Sequence, residues 1–160
     1  MATEIERKFV IDSGKLFTSD NIEISSRFSI TQHYLPSAPN QVVRIRKYYD
    51  HYEMGIKFIK SSIERDEIEF RILNMPAEEL IKHSLGFVEK VRYVIYHNNI
   101  KWDVDLYRNL NNLAIAEIEF GSTEEAKKEI KLPDWIIKEV TGISKYSNYI
   151  LATSGGKIEL

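Results

Sequence analysis

Charged residues two positions apart recur along this 160-residue chain: Glu4, Glu6 and Lys8; Arg44 and Arg46; Arg65, Glu67 and Glu69; Lys90 and Arg92; Asp103 and Asp105; Glu117 and Glu119. Residues at i and i+2 of a strand point to one side, so each set would charge one face of its strand. Lys57 adds a single cation. Several sets carry one sign, and like charges held together repel unless something neutralises them. A cavity with an acidic and a basic wall has an obvious complement, a divalent cation against the first and a polyanion against the second. Triphosphate with Mg or Mn fits both. Magnesium is usually held by one or two carboxylates, water and phosphate oxygens, so a few glutamates suffice. The four histidines support no zinc site, and the absence of cysteine removes thiolate ligands and nucleophiles.

The elements that must position these residues read as strands, with β-branched and aromatic residues alternating over residues 3–11, 26–35, 41–49, 52–60, 64–73, 87–97, 100–107 and 113–120. The faces opposite the charges are apolar, as in Val43 and Ile45, Ile68 and Phe70, or Trp102, Val104 and Leu106. Pro36 to Asn40 and Asn98-Asn99 are strong turn signals. Pro76 can open a helix over 76–85 with Ala77, Leu80, Ile81 and Leu85 on one face. Ser122-Thr123-Glu124-Glu125 has capping-box spacing, and Asp134 can cap a segment from Trp135, so the last quarter reads as mainly helical. The expectation is one domain over 1–153, mainly β with accessory helices (α+β), followed by a frayed tail at 154–160.

A net charge of -2 gives no reason to expect nucleic acid or a membrane surface as partner. The charged N-terminus does not resemble a signal peptide, and no stretch has the length of a membrane span, which points to a soluble, cytoplasmic protein.

Patterning leaves the direction of the charged face open: a solvated exterior laced with ion pairs would give the same alternation. A resemblance bears on this. Glu4-x-Glu6-x-Lys8 matches the E-x-E-x-K signature of the CYTH family, or triphosphate tunnel metalloenzymes. The match continues through Gln32-x-Tyr34-Leu35, Arg44-x-Arg46, Lys57, Arg65-x-Glu67-x-Glu69, Lys90-x-Arg92-Tyr93, Asp105, Glu117-x-Glu119-Phe120 and Lys145-Tyr146-x-Asn148. It departs from the family at His33, Gly55 and the Ser61-Ser62-Ile63-Glu64 turn.

The resemblance implies an eight-stranded antiparallel closed barrel whose charged face is the interior, with helices packed outside. By resemblance, Glu4, Glu6, Glu117 and Glu119 are metal ligands for Mg or Mn, and Asp105, Glu67 and Glu69 are further acidic candidates. Lys8, Arg44, Arg46, Lys57, Arg65 and Arg92 resemble the phosphate-binding wall, Lys145 a cap on the tunnel, and Tyr34 a lining residue. Glu6 and Lys90 are the catalytic candidates, and Lys90 either transfers a proton or anchors phosphate. The implied reaction is metal-dependent hydrolysis of the terminal phosphoanhydride of inorganic tripolyphosphate. Class IV adenylate cyclase, thiamine or nucleoside triphosphatase, and a noncatalytic polyphosphate or nucleotide module remain alternatives. The resemblance also leaves a homodimer open.

Overall fold

The computed structural model describes residues 2–154, so the expected frayed tail lies, from residue 155, outside the described residues. The chain runs β1 (Ala2–Ile11), α1 (Ser13–Thr18), β2 (Ile22–Leu35), β3 (Gln41–Lys47), β4 (Tyr52–Ile59), β5 (Glu64–Ile72), α2 (Asn74–Ile81), β6 (Gly86–His97), β7 (Ile100–Tyr107), β8 (Ala114–Glu119), α3 (Thr123–Ala126), β9 (Ile136–Glu139), a 3-10 turn (Ser144–Tyr146) and α4 (Asn148–Thr153). The strands pair in the order β5-β4-β3-β2-β6-β7-β8-β1-β9, all antiparallel, and a further β5–β1 pairing closes a ring of eight. β1 makes the closure by changing partner along one edge: Ala2–Ile5 pair with β5, and Phe9–Ile11 pair with β9.

Turn chemistry matches the sequence. Asn98 and Asn99, both at positive φ (52° and 62°), join β6 to β7 in the left-handed conformation a two-residue hairpin requires. Asn40, in the longer loop before β3, is also left-handed at φ 57°. Ser122 caps α3, its hydroxyl accepting from the Glu125 N–H, as the spacing predicts.

The closed ring settles the direction of the charged face. Glu4, Glu6 and Lys8, Arg44 and Arg46, Lys90 and Arg92, and Asp105 and Glu117 face the inside of the ring, while their apolar neighbours face out. The outward apolar residues are buried by elements laid over them. Phe9, Ile95, Trp102 and Val104 pack with Leu16 of α1 and with Trp135, and Ile45 and Tyr52 pack with Ala77 of α2. A third cluster lies on the inward face at one end of the ring. There Tyr34, Val88, Tyr107 and Ile115 pack against Tyr146, Leu151 and Ala152, so the C-terminal turn and α4 plug that end with an apolar core. Gly86 permits the approach, because a Cβ there would lie 2.1 Å from the Ala152 carbonyl oxygen.

Two sequence expectations are corrected, and one helix falls where the sequence reading assigns no element. The segment after Asp134 is the strand β9, not a helix, because the open edge of β1 at Phe9–Ile11 offers backbone partners that a helix would leave unpaired. Leu85 lies beyond α2, half exposed, with its N–H donating to the Tyr34 carbonyl. The six-residue α1, capped by Asp12, lies in a stretch without a clear period. No helix among the described residues is long and apolar enough to cross a membrane.

Trp135 is fully buried, edge-on to Trp102 with ring centroids 4.9 Å apart, and donates Nε1–H to His97 Nδ1 at 3.3 Å. Trp135→Ala is expected to destabilise the fold by about 3–5 kcal/mol, measured by urea unfolding.

Candidate active site

Ring order turns a sequence of scattered charges into two facing walls. β7, β8, β1 and β5 are consecutive around the ring and carry most of the acids; β4, β3, β2 and β6 complete it and carry most of the bases. Between them lies a cavity of about 600 Å³. Lys8, Arg44, Arg46, Lys57, Arg65 and Arg92 line it with positive charge, and Glu4, Glu6, Glu69, Asp103, Glu117 and Glu119 with negative charge. Tyr34 lines it too, its hydroxyl accepting from Gln32 Nε2 at 2.9 Å.

Most of these charges are paired across strands. Lys57 Nζ lies 2.7 Å from Glu4 Oε2, Arg65 donates to Glu6 Oε1 at 2.5 Å, and Lys8 Nζ lies 3.5 Å from Glu117 Oε1. Arg44 donates to Glu67 at 2.8 Å and to Glu69 at 3.4 Å. Gly55 makes room for that reach: a Cβ there would come within 2.9 Å of Arg44 Nε, so the bare backbone lets the guanidinium lie across β4. A second departure from the family pattern, His33, faces outward beside Phe87, while Ser61 and Ser62 of the third line the cavity.

Arg46 is the exception among the cations. Its hydrogen bonds go to the neutral Gln32 Oε1 at 3.0 Å and Tyr48 hydroxyl at 3.2 Å. Burial lowers its pKa, and the neighbouring Arg44 and Arg92 lower it further, so its charge is under-compensated. The acids show the converse. Burial raises the pKa of Glu6, and Glu117 adds to it, while Glu119 is raised by burial and by Glu4 and Asp103. Glu6 and Glu119 stand directly opposite one another on β1 and β8. Burial opposes ionisation of Glu117, but Lys8 and Arg92 outweigh it and bring the carboxyl down to about 2. An under-compensated cation thus faces acids that a further cation would relieve.

Behind the lining is a sealed triad. Asp105 Oδ2 accepts from Lys90 Nζ at 2.7 Å and from Arg92 at 2.8 Å, while Oδ1 accepts from Arg92 Nε at 2.7 Å. Burial lowers Lys90 to about 7, aided by Arg92 and Arg46 and opposed by Asp105. Burial works against the Asp105 carboxylate, yet Arg92 and Lys90 hold it below the usual range.

The structure therefore sorts the sequence candidates. Glu4, Glu6, Lys8, Tyr34, Arg44, Arg46, Lys57, Arg65, Glu69, Arg92, Glu117 and Glu119 converge on the cavity. Lys90, Asp105 and Glu67 are buried behind it, their polar atoms engaged by partners. Lys145 is exposed and stands off the lining, its Nζ 5.2 Å from the Tyr146 ring; Asn148 and Tyr149 of the same segment reach the cavity instead. Asp103, two residues before Asp105 on the same face, was marked by the charge pattern but given no role. Ser144 and Ser147, which also line the cavity, carry no signal of their own in the sequence.

No family model matches the sequence. The chain is 32% identical over 151 residues to the inorganic triphosphatase of Acetivibrio thermocellus, with 92% of each chain covered. This chain belongs to the triphosphate tunnel family. Among solved structures, the inorganic triphosphatase NE1496 has 29% identity over 96% of each chain and a TM-score of 0.65. HpAC1 from Hippeastrum, at 16% identity, shares the tunnel fold over 79% of this chain and 83% of its own, with a TM-score of 0.58.

In this tunnel enzyme Asp105 neutralises two buried cations, so its loss strands both, whereas loss of Lys90 leaves the Asp105–Arg92 pair intact. Asp105→Ala is expected to cost about 3–5 kcal/mol and Lys90→Met clearly less, compared by equilibrium denaturation.

Proposed function

We propose that the protein hydrolyses the terminal phosphoanhydride of inorganic tripolyphosphate with a divalent metal, Mg or Mn. The observation that carries this reading is the buried, under-compensated Arg46 set among Arg44 and Arg92. Three guanidiniums on one side of a closed cavity suit the non-bridging oxygens of a phosphate chain, which guanidinium forks engage two at a time. Lys57, from β4, and Lys8, from within the acidic wall, supply point charges.

The acids fit a hard cation. Glu4 Oε2 is buried, with Lys57 Nζ as its ion-pair partner at 2.7 Å. Glu6 and Glu119 face each other with raised pKa values. Among the described residues no three His, Asp or Glu side chains are already grouped as a cage. Magnesium bound here would be completed by substrate oxygens and water rather than by protein alone. Glu4, Glu6, Glu117 and Glu119 would hold it, and a bound metal would neutralise charge on the phosphate oxygens and lower the pKa of water. Lys57, Arg65 and Lys8 occupy three of these carboxylates in the free chain, so ligand binding exchanges ion-pair partners rather than exposing bare charge.

Lys90 is assigned a positioning role. It lies behind Arg92, fixes Asp105, and through that carboxylate fixes the guanidinium aimed at the cavity.

With magnesium or manganese present, phosphate release from tripolyphosphate is expected to exceed release from ATP. Release from neither substrate would reduce the protein to a binding module. Glu117→Gln is expected to lose metal-dependent release by at least tenfold while keeping the far-UV circular dichroism of the parent. Lys90→Met is expected to raise KM and leave the shape of the kcat–pH profile unchanged; disappearance of a limb near neutral pH would make Lys90 a proton carrier instead.

A further inference from the structure

β5 ends in an edge that the ring does not use. β1 covers β5 from Glu64 to Glu67, and among the described residues Ile68–Ile72 pair with β4 alone. Ile68, Glu69, Phe70 and Arg71 are all exposed, four in succession, where a strand of the wall would alternate. Backbone hydrogen bonds fix the phase of this edge. Lys60 N–H donates to the Glu64 carbonyl, so even-numbered residues of β5 turn their backbone to β4; Glu6 N–H donates to the Ile63 carbonyl, so odd-numbered ones turn away from it. Glu69 and Arg71 therefore offer N–H and C=O groups to the open side. The stretch contains no proline, lysine or bulge, and its two charges, Glu69 and Arg71, are of opposite sign.

We propose that this edge is the interface of a homodimer, in which β5 pairs antiparallel with β5 of a second copy about a two-fold axis at Phe70. Ile68-Glu69-Phe70-Arg71-Ile72 is its own complement in that arrangement. Glu69 meets Arg71 of the second copy, Arg71 meets Glu69, and Ile68 meets Ile72. Opposite charges directly across a strand pair stabilise it and like charges destabilise it. Moving the axis to Glu69 or Arg71 would set that charge against its own copy, so the pattern selects one register. The backbone phase agrees, since Glu69 and Arg71 become the hydrogen-bonded pairs and Phe70 the closer pair between them. The apolar surface continues beside the strand through Leu73 and Met75, 78% and 75% exposed. The contact is isologous and closes on itself. Glu69 also lines the cavity, so the pairing would bring Arg71 of the second copy to the lumen wall. This inference is independent of the hydrolytic reading.

Sedimentation of the full chain tests it, with a dimer expected for the parent protein. Phe70→Lys places two ammonium groups on the axis and is expected to halve the sedimenting mass; Phe70 is 46% exposed, so the fold should persist, as circular dichroism would report. Cross-linking gives an independent readout because the chain has no cysteine. At the proposed axis the two copies of residue 70 would have Cα atoms about 4.5 Å apart, within disulfide range, so Phe70→Cys should oxidise to a covalent dimer. Arg71→Cys, whose two copies are offset along the strands, should not. A monomeric parent chain, a dimer that survives Phe70→Lys, or a dimer that Phe70→Cys fails to link would each overturn the proposal.

Discussion

Charge buried inside a closed ring is the constraint on which the rest of this structure depends. Six cations and six anions face one cavity, and an unpaired ion removed from water costs several kcal/mol. The chain meets that constraint through ring order. Placing β7, β8, β1 and β5 together and β4, β3, β2 and β6 together sets acids against bases across the lumen and at the two seams. Lys57 of β4 reaches Glu4 of β1 from the basic side, whereas Lys8 of β1 pairs with Glu117 of β8 inside the acidic wall. Arg46 has neutral hydrogen-bond partners, and the resulting excess of positive potential is what distinguishes a binding wall from a self-neutralised one.

A lumen of ions cannot supply hydrophobic stabilisation, so apolar burial is displaced to other places. The larger share lies outside the ring, where Phe9, Trp102 and Ile95 are covered by α1 and Trp135, and where Ile45 and Tyr52 are covered by α2. The remainder fills one end of the ring itself, with Tyr146, Leu151 and Ala152 packed onto Tyr34, Val88 and Tyr107. That plug makes the tunnel blind on one side. It also carries Asn148 and Tyr149 to the cavity, so the same segment closes the fold and finishes the site.

Much of this was legible in the sequence, for a physical reason. A period of two survives any tertiary context that keeps a strand half-buried, so the charges and their apolar partners marked eight strands and the charged lining residues. Direction was not legible, because a barrel turned inside out has the same alternation; only the family resemblance supplied it. The stretch from Trp135 was misread because Asp134 is a plausible cap and Trp135-Ile136-Ile137 is short enough to suit either state, and an open backbone edge on β1 decided for the strand. Lys145 and Asn148 belong to one motif, and sequence cannot say which member turns inward. Glu67 and Asp105 share the inward face yet lie behind it, since Arg44 and Arg92 cover them with the hydrogen bonds they accept.

The first strand explains why the signature residues stand where they do. Three partners share β1: β8 along one edge, and β5 and then β9 along the other. Glu4 lies opposite Arg65 of β5, and Glu6 lies opposite Glu119 of β8 while its N–H reaches back to Ile63. The two glutamates thus straddle the point where β1 leaves β5, and Lys8, opposite Glu117, follows once that edge has passed toward β9. A ring closed by a single full-length strand pair would bury those carboxylates in a continuous ladder. Closing it through a strand that changes partner leaves the acids facing the cavity from a seam, with room for oxygens other than those of the protein.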